Sequence, residues 1–105
     1  MGILDIFRNN DINQGVESYR NTPDAHLIDV RSAEEYAGGH IPGSINLPIQ
    51  ALRNAADYLD NPDAPIYVYC HSGARSSRAA RMLAYLGYSQ VTDLGGIGAY
   101  AGDLE

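Results

Sequence analysis

The sequence has a single cysteine, no lysine and no tryptophan among its 105 residues. One cysteine excludes a disulfide within the chain and any metal cage built from several thiolates. Long apolar runs are also absent, so we expect no membrane partner. The start, MGILDIFRNN, is too short in its apolar part and is interrupted by Asp5, so we expect no signal peptide and a cytoplasmic location.

Positive charge is scarce but clustered. The chain has 13 Asp and Glu against seven Arg, which gives a formal net charge of −6. An acidic chain is poorly attracted to nucleic acid, so we expect no nucleic-acid partner. Arg75, Arg78 and Arg81 nevertheless follow the single cysteine, Cys70, within one short segment. That segment is therefore the first candidate for a functional site.

The order of apolar patterns predicts an α/β fold, as a single domain over residues 1–105. Strands are predicted at 26–30, 45–48, 66–70 and 90–94. Helices are predicted at 11–21, 32–36 and 49–59, from Ser76 or Ser77 to Leu86, and at 97–105. The second of these starts with a capping-box pattern, Ser32 followed three residues later by Glu35. Strands that alternate with helices are typical of a mainly parallel central sheet flanked by helices on both faces.

The segment IYVYCHSGAR, residues 66–75, predicts a strand, a tight loop and the start of a helix. In such sheets ligands bind beyond the carboxyl ends of the strands, where Cys70 is expected. Successive loop amides and the helix N-terminus would form an anion nest, with Gly73 supplying the unusual backbone angles. This arrangement favours a thiolate, the nucleophilic form of cysteine. Arg75 opposes the helix dipole, which makes sense if an anion sits between the arginine and the helix.

Other interpretations of these residues are structural. A lone cysteine is more often a buried apolar residue than a nucleophile, although the strand–loop–helix order around Cys70 favours the nucleophile. His71 is either a donor to a bound anion or an exposed loop histidine, and both interpretations stay open. Asp29 and Arg31 are interpreted as an ion pair at the end of the first strand. His40 is interpreted as a hydrogen-bonding loop residue.

Three segments resemble the motifs of rhodanese-like domains. LIDVRSAEEYAGGHIPGSINLP, residues 27–48, resembles the front motif of that family. YCHSGARSSRAARMLAYLGY, residues 69–88, resembles its active-site loop and the helix that follows, and DLGGIGAY, residues 93–100, resembles its closing motif. The motif-bearing part runs from about 26 to 101. The resemblance implies a single-domain sulfurtransferase, whose loop cysteine becomes a persulfide.

The resemblance also implies roles for individual residues. Cys70 would be the nucleophile and sulfur carrier. The backbone amides around it would cradle the persulfide or the anionic end of the donor: His71, Ser72, Gly73, Ala74 and Arg75. The Arg75 side chain would bind an oxyanion, and three front-motif residues would be structural: Asp29, Arg31 and His40. The donor would be thiosulfate or a persulfide and the acceptor cyanide, a thiol or a protein cysteine, with no cofactor and no metal.

Loop length separates this chemistry from its nearest alternative. The loop from Cys70 to Arg75 has six residues, whereas the related dual-specificity phosphatases and arsenate reductases carry one residue more. A phosphate with its oxygens needs the wider ring, so the shorter loop favours sulfur transfer.

The second alternative is a binding or regulatory module that keeps the fold; such modules often lose the cysteine, and this chain has it. Two positions depart from the family pattern, His71 in place of a frequent basic residue and Tyr100 in place of a frequent tryptophan.

Overall fold

The computed structural model describes residues 11–105, and the expectation about a signal peptide concerns residues 1–10, outside that part. The described residues contain a parallel sheet of four strands in the order β2-β1-β3-β4. The strands are β1 (His26–Asp29), β2 (Ile45–Asn46), β3 (Ile66–Cys70) and β4 (Val91–Gly96). The prediction of an α/β fold with a mainly parallel sheet is confirmed.

The described residues contain three α-helices: α1 (Ile12–Arg20) before β1, α2 (Ala33–Ala37) between β1 and β2, and α3 (Ala74–Tyr85) between β3 and β4. Asp11 caps α1, because its side chain accepts from the backbone N–H groups of the first turn. Ser32 and Glu35 form the predicted capping box at the start of α2. Two further segments, Ile49–Asp57 and Ile97–Ala99, are 3₁₀-helices. None of the helices in the described residues has the length and apolar character needed to cross a membrane.

Three predicted helices differ from the structure. Helix α3 begins at Ala74 and not at Ser76 or Ser77, because Gly73 adopts a φ of +103° that turns the chain directly into the helix. The segment 49–59 is a 3₁₀-helix that is irregular at Asn54. The helix predicted at 97–105 is wrong beyond its first turn, because the backbone is extended at Tyr100 and two glycines weaken helix formation there.

The sheet is covered on both faces, and this decides where Cys70 points. Side chains alternate along a strand, so Ile66, Val68 and Cys70 share one face of β3. These residues belong to the core cluster under α3 and the 3₁₀-helix Ile49–Asp57. The opposite face, which includes Tyr69, packs with α1. The Cys70 side chain is therefore directed toward α3, the helix that follows its own loop.

Candidate active site

The Cys70 sulfur lies at the carboxyl end of β3, inside the loop that leads to α3. The residue is fully buried, and its Sγ accepts a hydrogen bond from the Gly73 N–H at 2.9 Å. The thiol also lies 3.5 Å from Ser76 Oγ, which in turn donates to the Gly73 carbonyl at 3.1 Å. The loop therefore closes around the sulfur, and an N–H dipole points at it. The sequence analysis considered Ser76 only as a possible start of the helix and not as a site residue; its side chain is buried.

The outer side of the loop faces solvent. His71, Ser72 and Ala74 are exposed, whereas Gly73 and Arg75 are half-buried. Of the five amides predicted to cradle the sulfur, the structure of residues 11–105 shows the Gly73 N–H as the donor to Sγ. The roles of the other four amides and of the His71 ring stay predictions. A small molecule arriving from solvent would meet this loop before the sulfur.

Gly96 forms the wall behind the loop. It pairs with Cys70 in the register between β3 and β4. A Cβ built on Gly96 would lie 2.6 Å from the His71 carbonyl oxygen and 3.0 Å from the Ser72 Cα. Only a glycine allows β4 to approach the loop backbone this closely. The sequence analysis placed Gly96 in the closing motif but gave it no role; a glycine pair at the end of a strand was the available signal.

The Arg75 guanidinium is held by an internal carboxylate. Its Nη1 and Nη2 donate to Glu35 Oε1 and Oε2 at 2.8 and 3.0 Å. These bonds are the main cause that lowers the pKa of Glu35 to about 2, with help from the Ser32 backbone N–H. The same pair raises the pKa of Arg75. The structure thus pairs Arg75 with Glu35, which the sequence analysis treated only as a helix-start residue; the binding of an external oxyanion by Arg75 stays a prediction.

The pair gives a prediction for stability against pH. Because the pKa of Glu35 is lowered, its stabilising effect is fully present above the ordinary value of 4.5 and is lost as pH falls toward about 2. Glu35→Gln should therefore lower the free energy of unfolding near neutral pH, and the difference from the wild type should shrink between these two pH values. Urea unfolding of both proteins at several pH values measures this. Glu34→Gln, which changes the exposed neighbouring carboxylate, should change the free energy of unfolding much less. Equal effects of the two substitutions would refute a stabilising role of the Glu35–Arg75 pair.

Asp29 and Arg31 form a buried ion pair at the end of β1. Arg31 Nη2 donates to Asp29 Oδ2 at 2.7 Å, and Nε lies 3.0 Å from both carboxylate oxygens. Asp29 is fully buried and Arg31 is 5% exposed. Nη2 also donates to the Gly39 carbonyl at 2.7 Å. The pair therefore connects β1 to the turn before β2.

His40 and Tyr69 hold the rest of that turn. The His40 ring stacks on Tyr36 with centroids 3.7 Å apart, and its Nδ1 lies 2.9 Å from the Tyr36 carbonyl oxygen. The Tyr69 hydroxyl accepts from the Ile41 N–H at 3.1 Å and lies 3.0 Å from Ser44 Oγ. Burial raises the pKa of Tyr69, so the hydroxyl stays neutral and can donate to Ser44. These contacts fit the structural role predicted for His40, which stays a prediction.

The chain is similar in sequence to known proteins. YqhL of Bacillus subtilis (strain 168), described as uncharacterized, is 38% identical over 82 residues, which are 77% of this chain and 64% of that protein. The chain thus spans less than two thirds of this relative. Thiosulfate sulfurtransferase PspE of Escherichia coli (strain K12) is 34% identical over 73 residues, 69% of this chain and 70% of that protein.

The fold of the chain is also similar to that of solved structures. A structure described as rhodanese with anions from E. coli matches with a TM-score of 0.72 at 32% identity, and the match covers 77% of this chain and 96% of that one. Residues 13–103 match the family model described as rhodanese-like domain. The resemblance found in the sequence motifs is confirmed, and the chain belongs to the rhodanese-like domain family.

Proposed function

We propose that this protein is a sulfurtransferase that carries a sulfane sulfur as a persulfide on Cys70. The observation that carries the proposal is the sulfur enclosed by a six-residue loop, with the Gly73 N–H donating to it at 2.9 Å. An amide dipole directed at sulfur stabilises negative charge on a thiolate or a persulfide. The similarity to PspE, named a thiosulfate sulfurtransferase, supports the same chemistry.

The first step loads the sulfur. The Cys70 thiolate attacks the outer sulfur of thiosulfate and forms a new S–S bond. The S–S bond of the donor breaks, and its electron pair leaves with sulfite. The sulfonate oxygens of the donor carry negative charge, and Arg75 is the nearest cation in the loop sequence. Because Glu35 already occupies the Arg75 guanidinium, the donor must share that group or displace Glu35.

The second step delivers the sulfur to an external acceptor. A nucleophile such as cyanide or a thiolate attacks the outer sulfur, and the Cys70 thiolate is released. Cyanide would leave as thiocyanate, and a thiol would leave as a persulfide. Cys70 is the only cysteine of the chain, so the chain itself cannot resolve the persulfide as an internal disulfide. A reducing compartment would keep Cys70 as a thiol, which is the basis for proposing a cytoplasmic location.

Intact-protein mass measurement tests the proposal directly. Incubation with thiosulfate should add one sulfur, about 32 Da, and cyanide should remove it and yield an equal amount of thiocyanate. Protein first alkylated with iodoacetamide is the matched control, because the one cysteine is then blocked. The control should neither gain sulfur nor produce thiocyanate.

The two alternatives to a sulfurtransferase predict different results. No mass gain with thiosulfate, polysulfide or a small persulfide would refute the sulfurtransferase and favour a binding module that keeps the fold. Hydrolysis of an aryl phosphate or reduction of arsenate would favour the phosphatase-like alternative. The six-residue loop argues against the phosphatase-like alternative, because a phosphate needs more amides and a wider ring.

A further inference from the structure

A groove with arginines on its walls runs along the exposed face of α3. Its volume is about 470 Å³. Arg78, Arg81, Met82 and Tyr85 have the i, i+3, i+4, i+7 spacing that places them on one side of the helix. Leu86 and Arg53, the latter from the 3₁₀-helix Ile49–Asp57, complete the lining. We call this surface the arginine groove.

The charge of the groove is opposite to that of the chain. Three of the seven arginines lie here, in a protein with a formal net charge of −6. The ion pairs found within residues 11–105 involve Arg31, His40 and Arg75, and none involves a groove arginine. Arg81 donates instead to the Ser77 hydroxyl at 3.2 Å. The groove therefore offers guanidinium groups to an external anion.

The groove also exposes apolar surface. Tyr85 is 91% exposed and Leu86 is 45% exposed, although both belong to the residue types that proteins usually bury in part. Tyrosine, methionine and arginine are enriched at the centres of protein–protein interfaces. A small inorganic anion would use the charges but would leave this apolar surface uncovered. The combination of arginine charges and exposed apolar side chains therefore fits a protein segment better than a small ion.

The position of the groove connects it to the active site. Helix α3 begins at Ala74, directly after the loop that encloses Cys70. With a rise of 1.5 Å per residue, Arg78 lies about 6 Å and Tyr85 about 16 Å along the helix from its start. The end of the groove at Arg78 is therefore the end that lies nearest to the loop around Cys70.

We propose that the arginine groove docks an acidic protein segment with interspersed apolar residues, which belongs to the protein that accepts the sulfur. This inference rests on the proposed function, because a persulfide on the only cysteine must be handed to another molecule. Complementary charge would raise the rate of encounter and orient the acceptor, while the loop itself carries out the transfer. Thiosulfate and cyanide do not need the groove.

A charged peptide that ends in cysteine tests the inference. The probe is a fluorescein-labelled peptide of sequence EELEELEGGC, compared with its counterpart KKLKKLKGGC. Fluorescence anisotropy measures binding to the unloaded protein, and peptide mass measures sulfur transfer from the loaded protein. Arg81→Glu should weaken binding of the acidic peptide about ten-fold and slow transfer to it, with thiosulfate–cyanide turnover unchanged. Arg53→Glu, on the opposite wall, should act in the same direction.

Arg20→Glu is the charge-matched control, because Arg20 is an exposed arginine on α1, outside the groove. It should change binding less than about two-fold, since a distant exposed charge is screened by salt. Equal losses for Arg20→Glu and Arg81→Glu, or no preference for the acidic peptide, would overturn the groove assignment. Tighter binding of a single-stranded RNA would overturn it in favour of a nucleic-acid surface. A protein that binds the peptide but never gains sulfur would instead overturn the proposed function and with it the acceptor role.

Discussion

Gly96→Ala should lower thiosulfate–cyanide turnover by about 100-fold, because a displacement of about 1 Å in a reacting group can cost that much. The added methyl group would lie 2.6 Å from the His71 carbonyl oxygen, and its nearest neighbours are backbone atoms, which cannot rotate away as a side chain can. The loop and β4 must therefore separate. This moves the Gly73 N–H relative to the Cys70 sulfur, the contact on which the proposed chemistry depends.

The same substitution should also cost stability. Overpacking a close contact typically costs about 1–3 kcal/mol, so turnover must be measured at a temperature where the variant is folded. Gly98→Ala is the matched control, because a Cβ at Gly98 meets nothing within 4 Å and lies two residues further along the chain. Steady-state kinetics and urea unfolding of both variants separate the two effects. Turnover of Gly96→Ala within about three-fold of Gly98→Ala would contradict the role of Gly96 as the wall of the loop.

The sequence predicted the elements that depend on local pattern. The apolar run of β3, the capping box at Ser32 and the parallel direction of the strands all follow from residue types and their spacing. The start of α3 was predicted two or three residues late, because the pattern of apolar residues begins only at Ala79. What sets the true start is the backbone conformation of Gly73, which a sequence pattern does not specify.

The site was predicted only where its residues are neighbours in the chain. Cys70 and the amides after it form one continuous segment, so their proximity needs no knowledge of the fold. Glu35 lies on α2 and Gly96 on β4. Their proximity to the loop depends on the packing of α2 and on the register between β3 and β4. Their residue types gave a signal, a carboxylate and a glycine pair, but their partners depend on tertiary contacts. For that reason the sequence analysis assigned Arg75 to an external anion and did not identify Glu35 as its partner within the chain.

Asp29→Asn should destabilise the protein by about 3–5 kcal/mol, the usual cost of removing one partner of a buried ion pair. Arg31 is 5% exposed, and apart from residue 29 its guanidinium donates to the Gly39 carbonyl. An asparagine keeps one acceptor oxygen but brings an N–H₂ group against a guanidinium, which can only donate. A domain of this size is typically stable by about 5–15 kcal/mol, so the variant should unfold at a much lower urea concentration.

Asp57→Asn provides the control for this prediction, since it makes the same change at an exposed aspartate. It should alter the free energy of unfolding by less than about 0.5 kcal/mol. A loss below about 1 kcal/mol for Asp29→Asn would show that the ion pair is not a main support of the turn before β2. The folded fraction of Asp29→Asn should still gain a sulfur on Cys70, because the pair lies at the end of β1 and the sulfur contacts Gly73 and Ser76. A variant that is folded in native conditions but gains no sulfur would instead show that the ion pair supports the loop around Cys70.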